Sequence, residues 1–135
     1  MTTKKITISE NDFQLLKNMI AEMSCIRDPD ILGYLARLEE EIDSATIIRK
    51  DEMPPDIVIM DSTVSFVEED TGESFFYTLT WPHSADIEQN KISILAPVGM
   101  ALLGYAVGDT VEWNVPSGRK RFRIEAIRQK ESEFI

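Results

Sequence analysis

Asp28 and Asp30 are the carboxylates best placed to do chemistry. They flank Pro29 and separate two stretches of helical periodicity, so both belong at the tip of a hairpin, next to Arg27. Two projecting carboxylates can share a Mg²⁺ ion whose remaining positions are filled by water or by another macromolecule. The same residues also fit a simpler role. Asp28 is a good helix N-cap, Pro29 suits the first helical position, and Asp30 favours the positive helix end.

A second group lies near the C-terminal end. Arg119, Arg121 and Arg123 alternate with Lys120, Phe122 and Ile124. A period of two turns the three arginines to one face of a strand and Phe122, Ile124 and Ala126 to the other. Such a face is either a solvated surface or a contact for an anionic partner. His83 follows Trp81-Pro82 without a neighbouring nucleophile, and Cys25 has Arg27 nearby but Asp28 against it. No glycine-rich phosphate loop occurs. The sequence therefore predicts no catalytic residues, no cofactor and no resident metal.

These residues need elements to hold them. Thr3–Ser9 suits a short strand or an extended arm. Ser9 then reads as an N-cap, with Asp12 at the capping-box position. Phe13, Leu16, Ile20 and Met23 form one helical stripe. Ile31, Leu35, Leu38, Ile42 and Ala45 continue as a heptad seam after Pro29. Two seams joined by a short turn predict an antiparallel coiled-coil hairpin over residues 1–50, with Glu39-Glu40-Glu41 mostly on its solvated side.

Pro54-Pro55 ends the helical region, and the period changes to two. Strands are expected at Ile57–Met60, Val64–Val67, Phe75–Leu79, Ile92–Leu95, Thr110–Val115 and Arg119–Arg128. Turns fall at Asp70–Glu73, Val107–Asp109 and Pro116–Gly118, and a short helix at Pro97–Leu103 ends at Gly104. The expected class is α+β: a helical hairpin, then an antiparallel sheet with one short helix over residues 51–135.

Composition narrows the function. The 135 residues carry 14 Lys+Arg and 24 Asp+Glu, for a net charge of −10. Residues 51–90 hold ten acidic groups and no basic one, whereas residues 91–135 hold seven basic and five acidic. A basic protein surface suits the middle segment better than DNA does, and strong direct nucleic-acid binding is not expected. One cysteine excludes an internal disulfide framework. No apolar run has the length of a membrane span, and the N-terminus does not read as a signal peptide. A cytoplasmic monomer with no membrane partner is the expectation.

Several stretches resemble the Gre transcript-cleavage factor superfamily, and within it the regulators of nucleoside diphosphate kinase. They are Glu52–Met60 followed by Val64-Ser65-Phe66, then Ile92–Gly104, Val107-Gly108-Asp109 and Trp113–Gly118. The resemblance covers roughly residues 50–128. It implies an N-terminal antiparallel coiled coil and a C-terminal FKBP-like domain. It also implies binding to bacterial RNA polymerase near the mouth of the secondary channel. The positions matching the family's docking loop are Ser93, Leu95, Ala96 and Pro97, with Leu95 where strong binders often carry Asp. Gre factors reach the polymerase active site with acidic residues at the tip of a long coiled coil. Here the second helix, about 20 residues, would reach only about 30 Å. The resemblance therefore implies a polymerase-binding regulator that competes with Gre factors and does not stimulate cleavage. An FKBP-like fold also admits prolyl isomerisation, with Trp81, Trp113, Phe75, Phe76 and Tyr77 as candidate pocket rings, or interaction with some other protein.

Overall fold

The computed structural model describes residues 6–115 and 118–129, with the side chains of 113–115 outside that description. The chain divides into two compact units, Met1–Met53 and Pro54–Ile135.

The first unit is a helical hairpin closed by two short strands. Strand β1 (Thr7–Ser9) leads directly into helix α1 (Glu10–Met23), and α2 (Pro29–Asp43) leads into β2 (Thr46–Ile48). Ser9 caps α1, its hydroxyl accepting from the Asp12 N–H at 3.0 Å. Leu16 and Ile20 on α1 and Leu35, Leu38 and Ile42 on α2 are buried, as the two seams require. Lys17 ties the helices together, donating to Glu39 at 2.9 Å and Asp43 at 3.1 Å.

Helix α2 ends sooner than the seam suggests. The Ser44 hydroxyl turns back to the carbonyls of Glu40 and Glu41, and Thr46–Ile48 pairs in parallel with Thr7–Ser9. That pairing takes over the backbone groups a longer helix would use. The observed helix has 15 residues.

The second unit is a five-stranded sheet with one short helix. Its strands are β3 (Thr63–Glu68), β4 (Ser74–Thr80), β5 (Lys91–Ser93), β6 (Thr110–Val115) and β7 (Gly118–Arg128), in the order β5-β4-β3-β7-β6. Helix α3 is Pro97–Leu102. The β3–β4 turn contains Gly72 at φ +77°, as its turn chemistry predicts. Pro116 and Ser117 of the expected β6–β7 turn lie outside the described residues.

Three expectations need correction. The sheet is mixed, because β5 runs parallel to β4. The chain between them, residues 81–90, forms two 3₁₀ turns (Pro82–Ser84 and Ile87–Gln89), which return it beside Thr78 in the same direction. Ile57–Met60 is not a strand. Ile57 makes a lone bridge to Ala106, and the Val58 N–H and C=O pair with Tyr105 and Gly104. Its alternation still buries Val58 and Met60, but its partner is a loop.

The third correction concerns β7. Its register against β3 shifts between Ser65, opposite Ala126, and Phe66, opposite Ile124. Glu125 is the extra residue of this bulge, and it reverses the alternation beyond it. Phe122 and Ile124 are buried as expected, but Ala126 is exposed on the arginine side, and Ile127 stands opposite the buried Val64.

The core lies between the inner sheet face and α3. Val58, Val64, Leu79, Ile94, Leu102, Leu103 and Ile124 are at most 2% exposed. At one end of this face Phe66 stacks on Phe75 at 5.6 Å and meets Phe122 edge-on at 5.3 Å.

Candidate functional site

The segment from Ser93 to α3 is built by local hydrogen bonds. The Ser93 hydroxyl accepts from the Leu95 N–H at 3.0 Å, and the Ser93 carbonyl accepts from the Ala96 N–H at 3.0 Å. The Ile94 N–H donates to the Thr80 carbonyl at 2.9 Å and holds the loop to the sheet. Ala96 caps α3, Pro97 takes its first position, and the Met100 N–H returns to the Ala96 carbonyl. Proline suits that position because its missing N–H would have no partner within the helix.

This geometry sorts the four residues expected to dock. Pro97 is exposed, Ser93 and Ala96 are half-buried, and Leu95 is 6% exposed. Leu95 is thus a core residue and cannot offer its side chain to a partner. The turn made by the Ser93 hydroxyl points it inward. Gly99 adds a constraint that residue type alone does not assign. A Cβ there would overlap the Ser93 carbonyl oxygen, so α3 lies on the loop as closely as its backbone permits. The signal was a glycine inside a short helix.

The tip of the hairpin carries Arg27, Asp28 and Asp30, all exposed. The Asp28 carboxylate accepts from the Asp30 N–H at 2.9 Å and caps α2. Among the described residues no group of three or more His, Cys, Asp or Glu is gathered as a metal site. The helices are 14 and 15 residues long, which is roughly 21–23 Å of arm. Cys25 is exposed, its thiol 3.4 Å from the Glu22 carbonyl, and His83 is exposed in a 3₁₀ turn.

Arg119, Arg121 and Arg123 do share one outer sheet face, but acidic neighbours sit beside them. Arg119 lies 3.5 Å from Glu112, Arg121 lies 3.9 Å from Glu69, and Arg123 lies 2.9 Å from Glu125. The hydrogen bond to Glu125 raises the Arg123 pKa further above its ordinary value. Lys120 points the other way and meets Glu68 at 3.0 Å. Glu68 is 5% exposed and also accepts from the Thr71 hydroxyl. Period two places both on the core side.

Two further groups titrate away from their ordinary values. Burial raises the Glu41 pKa, opposed by Arg37 and assisted by Glu40. Hydrogen bonds to Glu39 and then Asp43 raise that of Lys17.

Three of the candidate pocket rings, Phe75, Phe76 and Tyr77, do not converge on one cavity. Phe75 and Tyr77 pack with Phe66 on the inner face, whereas Phe76 is 57% exposed on the outer one. Consecutive strand residues face opposite ways, so the three cannot line one cavity. The Trp113 side chain lies outside the described residues.

Comparison with known proteins agrees with this architecture. Residues 53–129 match the family described as "Transcription elongation factor, GreA/GreB, C-term". The regulator of nucleoside diphosphate kinase of Escherichia coli K12 is 41% identical over 81 residues, covering 60% of each chain. The transcription elongation factor GreA of Beijerinckia indica is 36% identical over 92 residues, covering 68% of this chain and 59% of the relative. The chain therefore spans about six-tenths of the length of these curated relatives. Among solved structures, a prokaryotic transcription elongation factor GreA/GreB from Nitrosomonas europaea superposes with a TM-score of 0.73 at 39% identity. That match covers 93% of this chain and 99% of the other. The match over residues 53–129, which hold the sheet, α3 and the loop before it, makes this chain a member of the GreA/GreB transcription elongation factor family.

Proposed function

We propose that this protein binds bacterial RNA polymerase near the mouth of its secondary channel, competes there with Gre factors, and does not stimulate transcript cleavage. Residues 51–135 act as the docking domain and the hairpin of residues 1–50 as a short arm. The observation that carries the docking reading is the Ser93–Pro97 loop, hydrogen-bonded to itself and clamped by Gly99. A rigid loop that presents Pro97 and Ala96 loses little entropy on binding.

The arm supports the second half. Cleavage needs carboxylates placed on the reacting metal, and an ångström-scale error already costs rate heavily. Helices of 14 and 15 residues set Asp28 and Asp30 a short way from the hairpin's base. The Asp28 carboxylate is also occupied by the Asp30 N–H.

The test is binding of the purified protein to bacterial core RNA polymerase at moderate salt, with a Gre factor as competitor. Displacement by the competitor supports the reading, and absence of binding at tens of micromolar overturns it. Backtracked complexes give the second readout. Cleavage that rises with added protein, and falls again in the Asp28→Ala/Asp30→Ala variant, overturns the claim of no stimulation.

A further inference from the structure

The outer face of the sheet has a composition unlike the rest of this acidic chain. Pairing sets its side chains in rows. One row runs Lys91, Thr78, Thr63, Arg128, the next Phe76, Ser65, Ala126, and the third Ser74, Val67, Arg123, Thr110. Rows lie about 7 Å apart and strands about 4.8 Å apart. Phe76 is 57% exposed in the middle row. Its neighbours Ser65 and Ala126 are too small to cover the ring, and the bulge at Glu125 is what brings Ala126 to this side.

The charge of the face opposes that of the chain. Lys91, Arg119, Arg121, Arg123 and Arg128 stand on it or at its edge, against Glu69, Glu112, Glu125 and Asp86, which is bridged to Lys91 through the backbone. Three of these arginines are beside carboxylates. Lys91 and Arg128 have no ion pair among the described residues, and they flank the row next to Phe76.

We propose that this face binds single-stranded nucleic acid, one base stacking on Phe76 while phosphates on either side of that nucleotide meet Lys91 and Arg128. An exposed ring among cations is what such a strand recognises, and stacking tolerates any base. A protein partner would instead want an apolar centre around its aromatic anchor. Here the ring stands among hydroxyls, with Thr63 and Thr78 hydrogen-bonded to each other at 2.8 Å beside it. Binding is weak and local, because two unpaired cations release few counterions and the net charge of −10 repels the rest of the strand. The face adjoins the docking loop, Lys91 and Ser93 standing two residues apart on β5, but its test needs no polymerase.

The experiment is fluorescence anisotropy of a labelled oligouridylate, about twelve nucleotides long, titrated with the full chain at low salt. Saturable binding in the micromolar range is expected. Phe76→Ala weakens it about tenfold, whereas Phe76→Trp retains it. Lys91→Ala with Arg128→Ala lowers the slope of log affinity against log salt by roughly one to one and a half. All of these positions are exposed, so unchanged thermal melting checks the fold. No saturable binding at low salt overturns the proposal, as does binding that Phe76→Ala leaves unchanged. Displacement of the oligonucleotide by a lower concentration of a glutamate-rich peptide with one central phenylalanine also overturns it, in favour of an acidic protein partner.

Discussion

Gly99 of α3 lies directly against the carbonyl oxygen of Ser93, with no room between them for a Cβ. The Leu79 side chain closes the same spot from the sheet, 3.1 Å from where that Cβ would be. Backbone meets backbone here, so neither side can yield by turning a side chain. Gly99→Ala is expected to destabilise the protein by about 1–3 kcal/mol, the range for overpacking a filled site. Urea unfolding measures it. On the proposed function, polymerase affinity in native buffer falls with it, because α3 and the Ser93–Pro97 loop separate together.

Leu95 and Pro97 answer differently although they are two residues apart. Leu95→Ala opens a cavity under the loop and is expected to cost about 2–4 kcal/mol of stability. Pro97→Ala changes an exposed side chain and costs less than about 1 kcal/mol. On the proposed function, Pro97→Ala weakens polymerase binding at nearly unchanged melting temperature. Equal loss of melting temperature in both variants would remove Pro97 from the contact.

At the hairpin tip, Asp28→Ala is expected to destabilise by about 0.5–2 kcal/mol, the effect of losing an N-cap. Asp28→Ser restores most of that, because a hydroxyl also accepts from the Asp30 N–H. A metal ligand would not be replaced in that way. Thermal melting of the two variants, with and without added Mg²⁺, separates the roles.

Glu41 predicts a pH dependence. Burial raises its folded pKa above the unfolded value. A raised carboxyl pKa means the folded state binds the proton more tightly, so its contribution is fully present below the unfolded pKa. That contribution is lost as pH rises through the raised folded value. Glu41→Gln should therefore stabilise the hairpin at neutral pH, and the gain should shrink as pH falls toward the carboxylate range. The effect is well under about 1 kcal/mol, since the group is half exposed and screened. Melting curves at pH 4 and pH 7 test the sign.

The Glu68–Lys120 pair gives a last prediction. Lys120→Met leaves a carboxylate that is 7% exposed with, among the described residues, only the Thr71 hydroxyl as its side-chain donor. The loss should be about 1–3 kcal/mol, the penalty for orphaning a buried polar group. Adding Glu68→Gln recovers part of it, because the remaining group is neutral. Urea midpoints of the single and double variants measure both.

The sequence by itself determined the elements whose signals are local. Ser9 and Asp28 announce their helices because capping is a matter of a few neighbouring atoms. The Leu35, Leu38, Ile42 seam and the Phe66 and Phe122 faces follow from helix and strand periods. The order of motifs from Ile92 to Gly118 carried the family. Only the tertiary structure decided the rest, and in each case the missing information lay in a distant partner. The strand at Thr46–Ile48 exists because Thr7–Ser9 is beside it. Ile57–Met60 has strand residues but meets a loop at Tyr105. Whether β5 ran with or against β4 depended on the path of residues 81–90. Ala126 faces outward because β7 takes an extra residue against β3, and nothing in its own neighbours marks the bulge. Leu95 is in the core, where the chain turns after Ser93 and the Ser93 hydroxyl accepts from the Leu95 N–H.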